Sequence, residues 1–214
     1  MDGRLDAQVC PDEGILKLLQ CINVELPFRE DADGTMIAVT YAGLLRLRDE
    51  RFVPFEQNHA LSNPHVDAAL IDHSGNLWIG SLGGLDRYSG GKVIPYTDRN
   101  GDKLAVVDVI FEDREHCLWV GTSTGLYRLT DRRASLLPLA DGTTKTLVST
   151  LLQGRDGSLW IGKWDKGVDH IQNGTTTHFK PGAPLSPDPV TVVYEAPDGT
   201  MWFGNRGSSL DRLE

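Results

Sequence analysis

Short apolar-rich runs alternate with turn-forming residues along this chain, and the alternation repeats. In its clearest copy, Val66 to Asp72 predicts a strand, His73-Ser74-Gly75-Asn76 a turn, and Leu77 to Ser81 a second strand. Leu82-Gly83-Gly84 turns again, Leu85 to Tyr88 forms a third strand and Val93 to Thr97 a fourth, each about the usual strand length. The same order returns at Val107 to Leu137, Val148 to Phe179 and Val190 to Leu213. Trp78, Trp119, Trp160 and Trp202 mark the second strands at steps of 41, 41 and 42 residues, each within a phrase of the form Leu-Trp-Ile-Gly. A worn copy at Gly34 to Val39 has Ile37 in the tryptophan slot.

Four strands in about 41 residues is the length of one propeller blade, and no such blade can bury its own faces without neighbours. The expected fold is therefore all-β: a β-propeller of about five four-stranded blades, at 24–59, 60–100, 101–141, 142–182 and 183–214. The last copy stops after its third strand, and residues 1–23 precede the first. A stretch such as Arg4 to Val9 or Ile15 to Gln20 would supply the outer strand and latch a five-bladed ring. Alternatively, Ile15, Leu18, Leu19 and Ile22 mark one face of a short helix. The latch is the favoured reading; the other arrangement is a fragment of a larger ring, whose open blade edges would pair with a second copy.

Register assigns most prominent residues to structure. The tryptophan and its apolar successor (Ile79, Val120, Ile161, Phe203) lie on opposite faces of strand two, so both faces are packed. Gly80, Gly121, Gly162 and Gly204 follow where close backbone approach leaves no room for a side chain. The arginines of strand three (Arg46, Arg87, Arg128, Arg212), flanked by Asp86, Asp169 and Asp211, are expected to form ion pairs between blades.

Two sets of positions remain for function. Eleven residues before each tryptophan stand Asp67, Asp108, Ser149 and Thr191, each after a valine, so alternation turns the polar side chain toward the axial channel. Hydration of that channel is their expected role. On the rim, the turn between strands two and three is short in copies two and three but reads Lys163-Trp164-Asp165-Lys166 and Asn205-Arg206-Gly207-Ser208 in copies four and five. Tyr41 is the first copy's departure. An exposed aromatic among charges is a stacking platform, so Tyr41, Lys163, Trp164, Asp165, Asn205 and Arg206 are the candidate ligand-binding residues.

Composition narrows the partners. A net charge of −9 without a Lys/Arg stripe argues against nucleic acid. No apolar run is long enough to cross a bilayer, and no secretion signal opens the chain. Cys10, Cys21 and Cys117 match neither a zinc site nor a disulfide framework, and His73 and His116, although both in hairpins opposite the rim, are not expected to pair as ligands. Asp98 to Asp102 resembles the start of a calcium loop, but Lys103 fills the glycine position. No glycine run cradles phosphate and no nucleophile–base pair assembles, so neither cofactor, metal nor catalytic residue is expected.

Leu77-Trp78-Ile79-Gly80-Ser81 followed by Gly84-Leu85-Asp86-Arg87-Tyr88 resembles the two-component regulator propeller repeat, as do Leu118 to Leu129, Leu159 to Ile171 and Met201 to Leu213. That resemblance covers about nine-tenths of the chain. It implies seven-bladed propellers forming the extracytoplasmic (periplasmic) sensor region of hybrid histidine kinases and related signalling proteins. With five copies here, a fragment of a seven-bladed ring stands beside the closed five-bladed one. The expected function is a non-enzymatic module for signal transduction, binding a small-molecule or glycan ligand or a partner protein. The alternative is a propeller-type lyase with a metal-assisted axial site at Asp67 and Asp108.

Overall fold

The computed structural model describes residues 28–30, 34–130, 133–139, 146–165, 167–182, 185–207 and 209–213. The stretches considered for a latch lie outside the described residues. Blade one comprises β1 (Phe28–Glu30), β2 (Met36–Thr40), β3 (Gly43–Arg48) and β4 (Arg51–Pro54). Blade two has β5 (Val66–Ile71), β6 (Leu77–Ser81), β7 (Gly84–Ser89) and β8 (Lys92–Tyr96). Blade three has β9 (Val107–Glu112), β10 (Leu118–Thr122), β11 (Gly125–Thr130) and β12 (Arg133–Leu137). Blade four follows with β13 (Val148–Gln153), β14 (Leu159–Lys163), β15 (Gly167–Gln172) and β16 (Thr175–Phe179). Blade five contains β17 (Val190–Glu195), β18 (Met201–Asn205) and β19 (Leu210–Leu213). Each sheet is an antiparallel meander in sequence order, four-stranded in the first four blades and three-stranded in the fifth.

The core lies between blades. Ile37, Val39, Leu44 and Phe55 of blade one pack against Val66, Ala69, Leu77 and Ile79 of blade two. Corresponding layers join blades two and three, three and four, and four and five. Ile79, Val120, Ile161 and Phe203 are wholly buried, as the repeat register requires. Each such side chain contributes about 1.5–3 kcal/mol of hydrophobic stabilisation.

Strand-two glycines set the spacing. A Cβ on Gly80 would lie 2.5 Å from Val107 Cγ1 of the next blade, and one on Gly121 would lie 2.7 Å from Val148 Cγ1. Hydrogen then lets the inner strand of the next blade touch strand two, which any larger group forbids. Among the described residues Gly204 has no such neighbour: near its Cβ position stands only Val192 of its own blade. Val192, Tyr194 and Leu210 on blade five are correspondingly exposed, at 53%, 57% and 65%. Inner strands β1, β5, β9, β13 and β17 pack each against the next, and among the described residues no comparable packing joins blade five to blade one. The described residues form an arc of five consecutive blades.

In blades two and three an aspartate ties the first hairpin. Asp72 accepts hydrogen bonds from Ser74 N (3.0 Å), Asn76 N (2.8 Å) and Trp78 Nε1 (2.7 Å). Asp113 repeats this with Cys117 N (2.7 Å) and Trp119 Nε1 (2.8 Å). Burial pushes the Asp72 pKa up, but bonds from Trp78, Asn76 and Ser74 outweigh it and leave it below the usual carboxylate range. Blade four has Gly154 in the aspartate slot, and there Trp160 stacks on His170 (centroids 4.0 Å apart).

Candidate functional sites on the rim and the axis

Five residues, one per blade, follow strand two: Tyr41, Leu82, Ser123, Trp164 and Arg206. In four of them the backbone N–H is fixed. Leu82, Ser123, Trp164 and Arg206 donate to the carbonyls of His65, Val106, Leu147 and Pro189, the residues just before each inner strand, at 3.1, 2.9, 3.0 and 2.9 Å. This lock holds the turn against its own inner strand and leaves the side chain to the rim.

Two members of the row meet. The Arg206 guanidinium carbon lies 4.8 Å from the centre of the Trp164 ring, a cation–π contact between blades four and five. Asp165, exposed beside them, accepts a weak hydrogen bond from Thr146 Oγ1 at 3.4 Å. Tyr41 lies elsewhere on the row, against His65 with ring centroids 4.3 Å apart.

Lys163 and Asn205 are not on the rim, contrary to the expectation from turn length. Both end strand two, where the side chain points into the blade: Thr40, Ser81 and Thr122 there cap their own turns at the carbonyls of Gly43, Gly84 and Gly125. Lys163 is fully buried, with Nζ 2.8 Å from Asp169 Oδ1, and His178 Nδ1 lies 2.6 Å from the same oxygen. Asn205 is 8% exposed and donates to Asp211 Oδ2 at 2.8 Å.

Asp67, Asp108, Ser149 and Thr191 share one backbone feature. Strand pairing jumps across each of them: Val66 and Ala68 face Ser81 and Gly80, and the jump recurs at Val107/Val109, Val148/Thr150 and Val190/Val192. Each is the extra residue of a β-bulge, a device that re-aims a side chain. Ser149 Oγ is used structurally, donating to Val190 O of the next blade at 2.5 Å. Thr191 is exposed and donates to Gly204 O at 3.2 Å. The aspartates are different. His65 Nε2 stands 3.2 Å from Asp67 Oδ1, and burial raises the Asp67 pKa against the pull of that histidine. Burial, and then the Asp67 charge, push Asp108 up to about 6. Its Oδ2 is buried with no hydrogen-bond partner among the described residues. Tyr41, His65, Asp67 and Asp108 thus stand in series from blade one to blade three.

Among the described residues Arg87 and Arg128 do not make the expected ion pairs between blades. Arg87, Arg128 and Arg212 lie over Trp78, Trp119 and Trp202 of their own blades, at 5.8, 5.5 and 5.9 Å. Each of these arginines stands directly opposite its tryptophan in the strand pairing, which brings the guanidinium to the indole face. The aspartates instead hold inter-blade linkers: Asp86 accepts from Ser62 N and Oγ (2.7 and 2.8 Å), and Asp211 from Ser186 N (2.6 Å).

On the opposite face, His73 and His116 do come together, with ring centroids 4.0 Å apart. Sequence reasoning misses this because they occupy different positions of successive hairpins. The signal was present, however: His116 stands where the other copies have glycine.

Residues 184–207, spanning part of the fifth repeat, match the family model described as two component regulator propeller. That match lies within one of the five repeats. The extracellular domain of the putative hybrid two component system BT3049 from B. thetaiotaomicron has a similar structure, with TM-score 0.73, 19% identity, and coverage of 88% of this chain and 26% of that one. The extracellular domain of the putative one component system BT4673 from the same organism gives TM-score 0.71, 17% identity, and coverage of 89% and 28%. Virginiamycin B lyase from Staphylococcus aureus gives TM-score 0.62, 17% identity, and coverage of 88% and 69%. The chain therefore spans about a quarter of the length of the two signalling domains. At these identities the likeness establishes the propeller fold. Among curated proteins no sequence match is found. No helix among the described residues is long and apolar enough to cross a membrane.

Proposed function

We propose that these blades form part of an extracytoplasmic sensor region: a non-enzymatic module that binds a small-molecule or glycan ligand, or a partner protein, on the rim row. The observation that carries this reading is the Trp164–Arg206 contact. Two residues that depart from the repeat, on separate blades, are brought together on the surface by turns whose backbones are locked. An indole face beside a guanidinium suits a sugar ring or a peptide bearing a carboxylate. The similarity to extracellular domains of two-component systems supports it. The test is a screen of glycan fragments and peptides read by tryptophan emission. A ligand should emerge whose affinity falls about tenfold or more in Trp164→Ala. A ligand bound equally by wild type and Trp164→Ala would remove the rim assignment.

A second reading, a propeller lyase acting at the axis, is favoured by one feature: burial and the neighbouring Asp67 charge push Asp108 up to about 6. The similarity to a lyase propeller accords with it. It predicts stabilisation by Mg²⁺ that disappears in Asp67→Asn; no Mg²⁺ effect on the melting temperature would count against it.

A further inference from the structure

On the face opposite the rim, three ligating side chains converge across the junction of blades two and three. His73 lies in the β5–β6 hairpin, Glu112 ends β9, and His116 lies in the β9–β10 hairpin. His73 Nδ1 and His116 Nδ1 stand 2.5 and 3.4 Å from Glu112 Oε1, and the three ligand atoms lie within 4.8 Å of one another.

The arrangement is held from outside. The other carboxylate oxygen of Glu112 accepts the backbone N–H of His73 at 2.9 Å, which fixes the carboxylate, and Ser74 Oγ lies 3.1 Å from His73 Nε2. Anchoring of this kind orients metal ligands. His116 adopts φ 63°, the left-handed conformation that Gly34, Gly75, Gly157 and Gly199 take in the other copies. A β-carbon is disfavoured there, and such strain clusters at functional sites. The junction is also singular among the repeats: the positions of His73 hold Arg114, Arg155 and Pro197 in later copies, and that of Glu112 holds Ile71, Gln153 or Glu195.

We propose that His73, Glu112 and His116 bind a divalent first-row transition metal, best matched by Zn²⁺, which clamps blade two to blade three. Two imidazoles and one carboxylate form a zinc ligand set, whereas Mg²⁺ and Ca²⁺ favour oxygen donors. The 3.4 Å from His116 Nδ1 to Glu112 Oε1 is close to the ~3.3 Å edge of a tetrahedron with bonds of ~2.0–2.1 Å. The shorter His73–Glu112 contact is a hydrogen bond whose proton the metal displaces, so the two ligand atoms separate by a few tenths of an ångström to about 1 Å. Both histidines are exposed, which gives their rings that freedom and leaves the fourth position to water.

The repeat itself supplies substitutions compatible with the fold. His116→Gly restores the turn glycine, His73→Arg copies blades three and four, and Glu112→Gln copies Gln153. Titration calorimetry with Zn²⁺ alone should show one ion per chain for wild type, and Co²⁺ should develop intense visible bands of tetrahedral coordination. Zn²⁺ at a hundredfold excess over Kd should raise the melting temperature by about 5–10 °C, and Mg²⁺ should not. Each variant should remain folded and lose at least about tenfold in Zn²⁺ affinity, with most of the shift. Absence of Zn²⁺ binding by wild type, or equal binding by wild type and His116→Gly, would overturn the proposal.

Discussion

Replacing Asp108 with asparagine should stabilise the protein at neutral pH and not at acid pH. Burial and the neighbouring Asp67 raise its carboxyl from 3.8 to about 6. The folded state therefore prefers the neutral form: that contribution is full below about pH 4 and is lost as pH rises through about 6. A shift of roughly two units corresponds to about 3 kcal/mol. Because the side chain is only half-buried, solvent screening reduces this to about 1.5 kcal/mol. Asparagine keeps the shape and removes the charge, so at pH 7.5 Asp108→Asn should melt about 3–6 °C above wild type. At pH 4 the two should nearly coincide, since both side chains are then neutral. Thermal melts by circular dichroism at the two pH values measure the difference directly. A variant no more stable than wild type at pH 7.5, or equally stabilised at pH 4, would refute the assignment of a strained charge at this bulge.

Asp72→Ala removes the acceptor of five hydrogen bonds from Ser74, Asn76 and Trp78 and should cost about 2–3 kcal/mol in denaturant unfolding at pH 7. Because its folded-state pKa is depressed, that cost should shrink as pH falls through the folded value. Lys163→Ala should lower stability by about 3–5 kcal/mol, leaving buried Asp169 short of its cation, where a surface lysine would be nearly neutral to lose. The exposed face of blade five, with Val192, Tyr194 and Leu210, should drive concentration-dependent self-association of this chain in sedimentation velocity. Tyr194→Lys should weaken that association; a strictly monomeric wild type would contradict it.

Blade architecture was legible because it is carried by a period, and periods survive local irregularity. Strand two of blade two begins at Leu77 and ends at Ser81 in both sequence and structure. The division of Trp164 from Lys163 was not legible. One residue decides whether a side chain leaves by the rim or enters the blade, and turn length alone does not show where the strand ends. The indole contacts of Arg87 and Arg128 were not legible for a related reason: sequence shows which charges share a strand, while the cross-strand partner decides what a guanidinium meets. Alternation distinguishes Asp67 and Asp108 from the buried Val66 and Val107, but the bulge that re-aims them changes the pairing, and only register reveals it. His73 and His116 needed the third dimension, since the junction between hairpins sets their distance.

Two sets of single variants, compared by melting temperature under one condition, test the claim that the repeat carries stability and the rim row carries function. Trp78→Ala, which empties a slot only 4% exposed, should lower the melting temperature by about 10 °C. Gly121→Ala should lower it by several degrees, by forcing a methyl onto Val148. Tyr41→Ala, Ser123→Ala and Arg206→Ala should each stay within about 2 °C of wild type. Rim variants that cost as much as the repeat variants would contradict the account, because the row would then be structural.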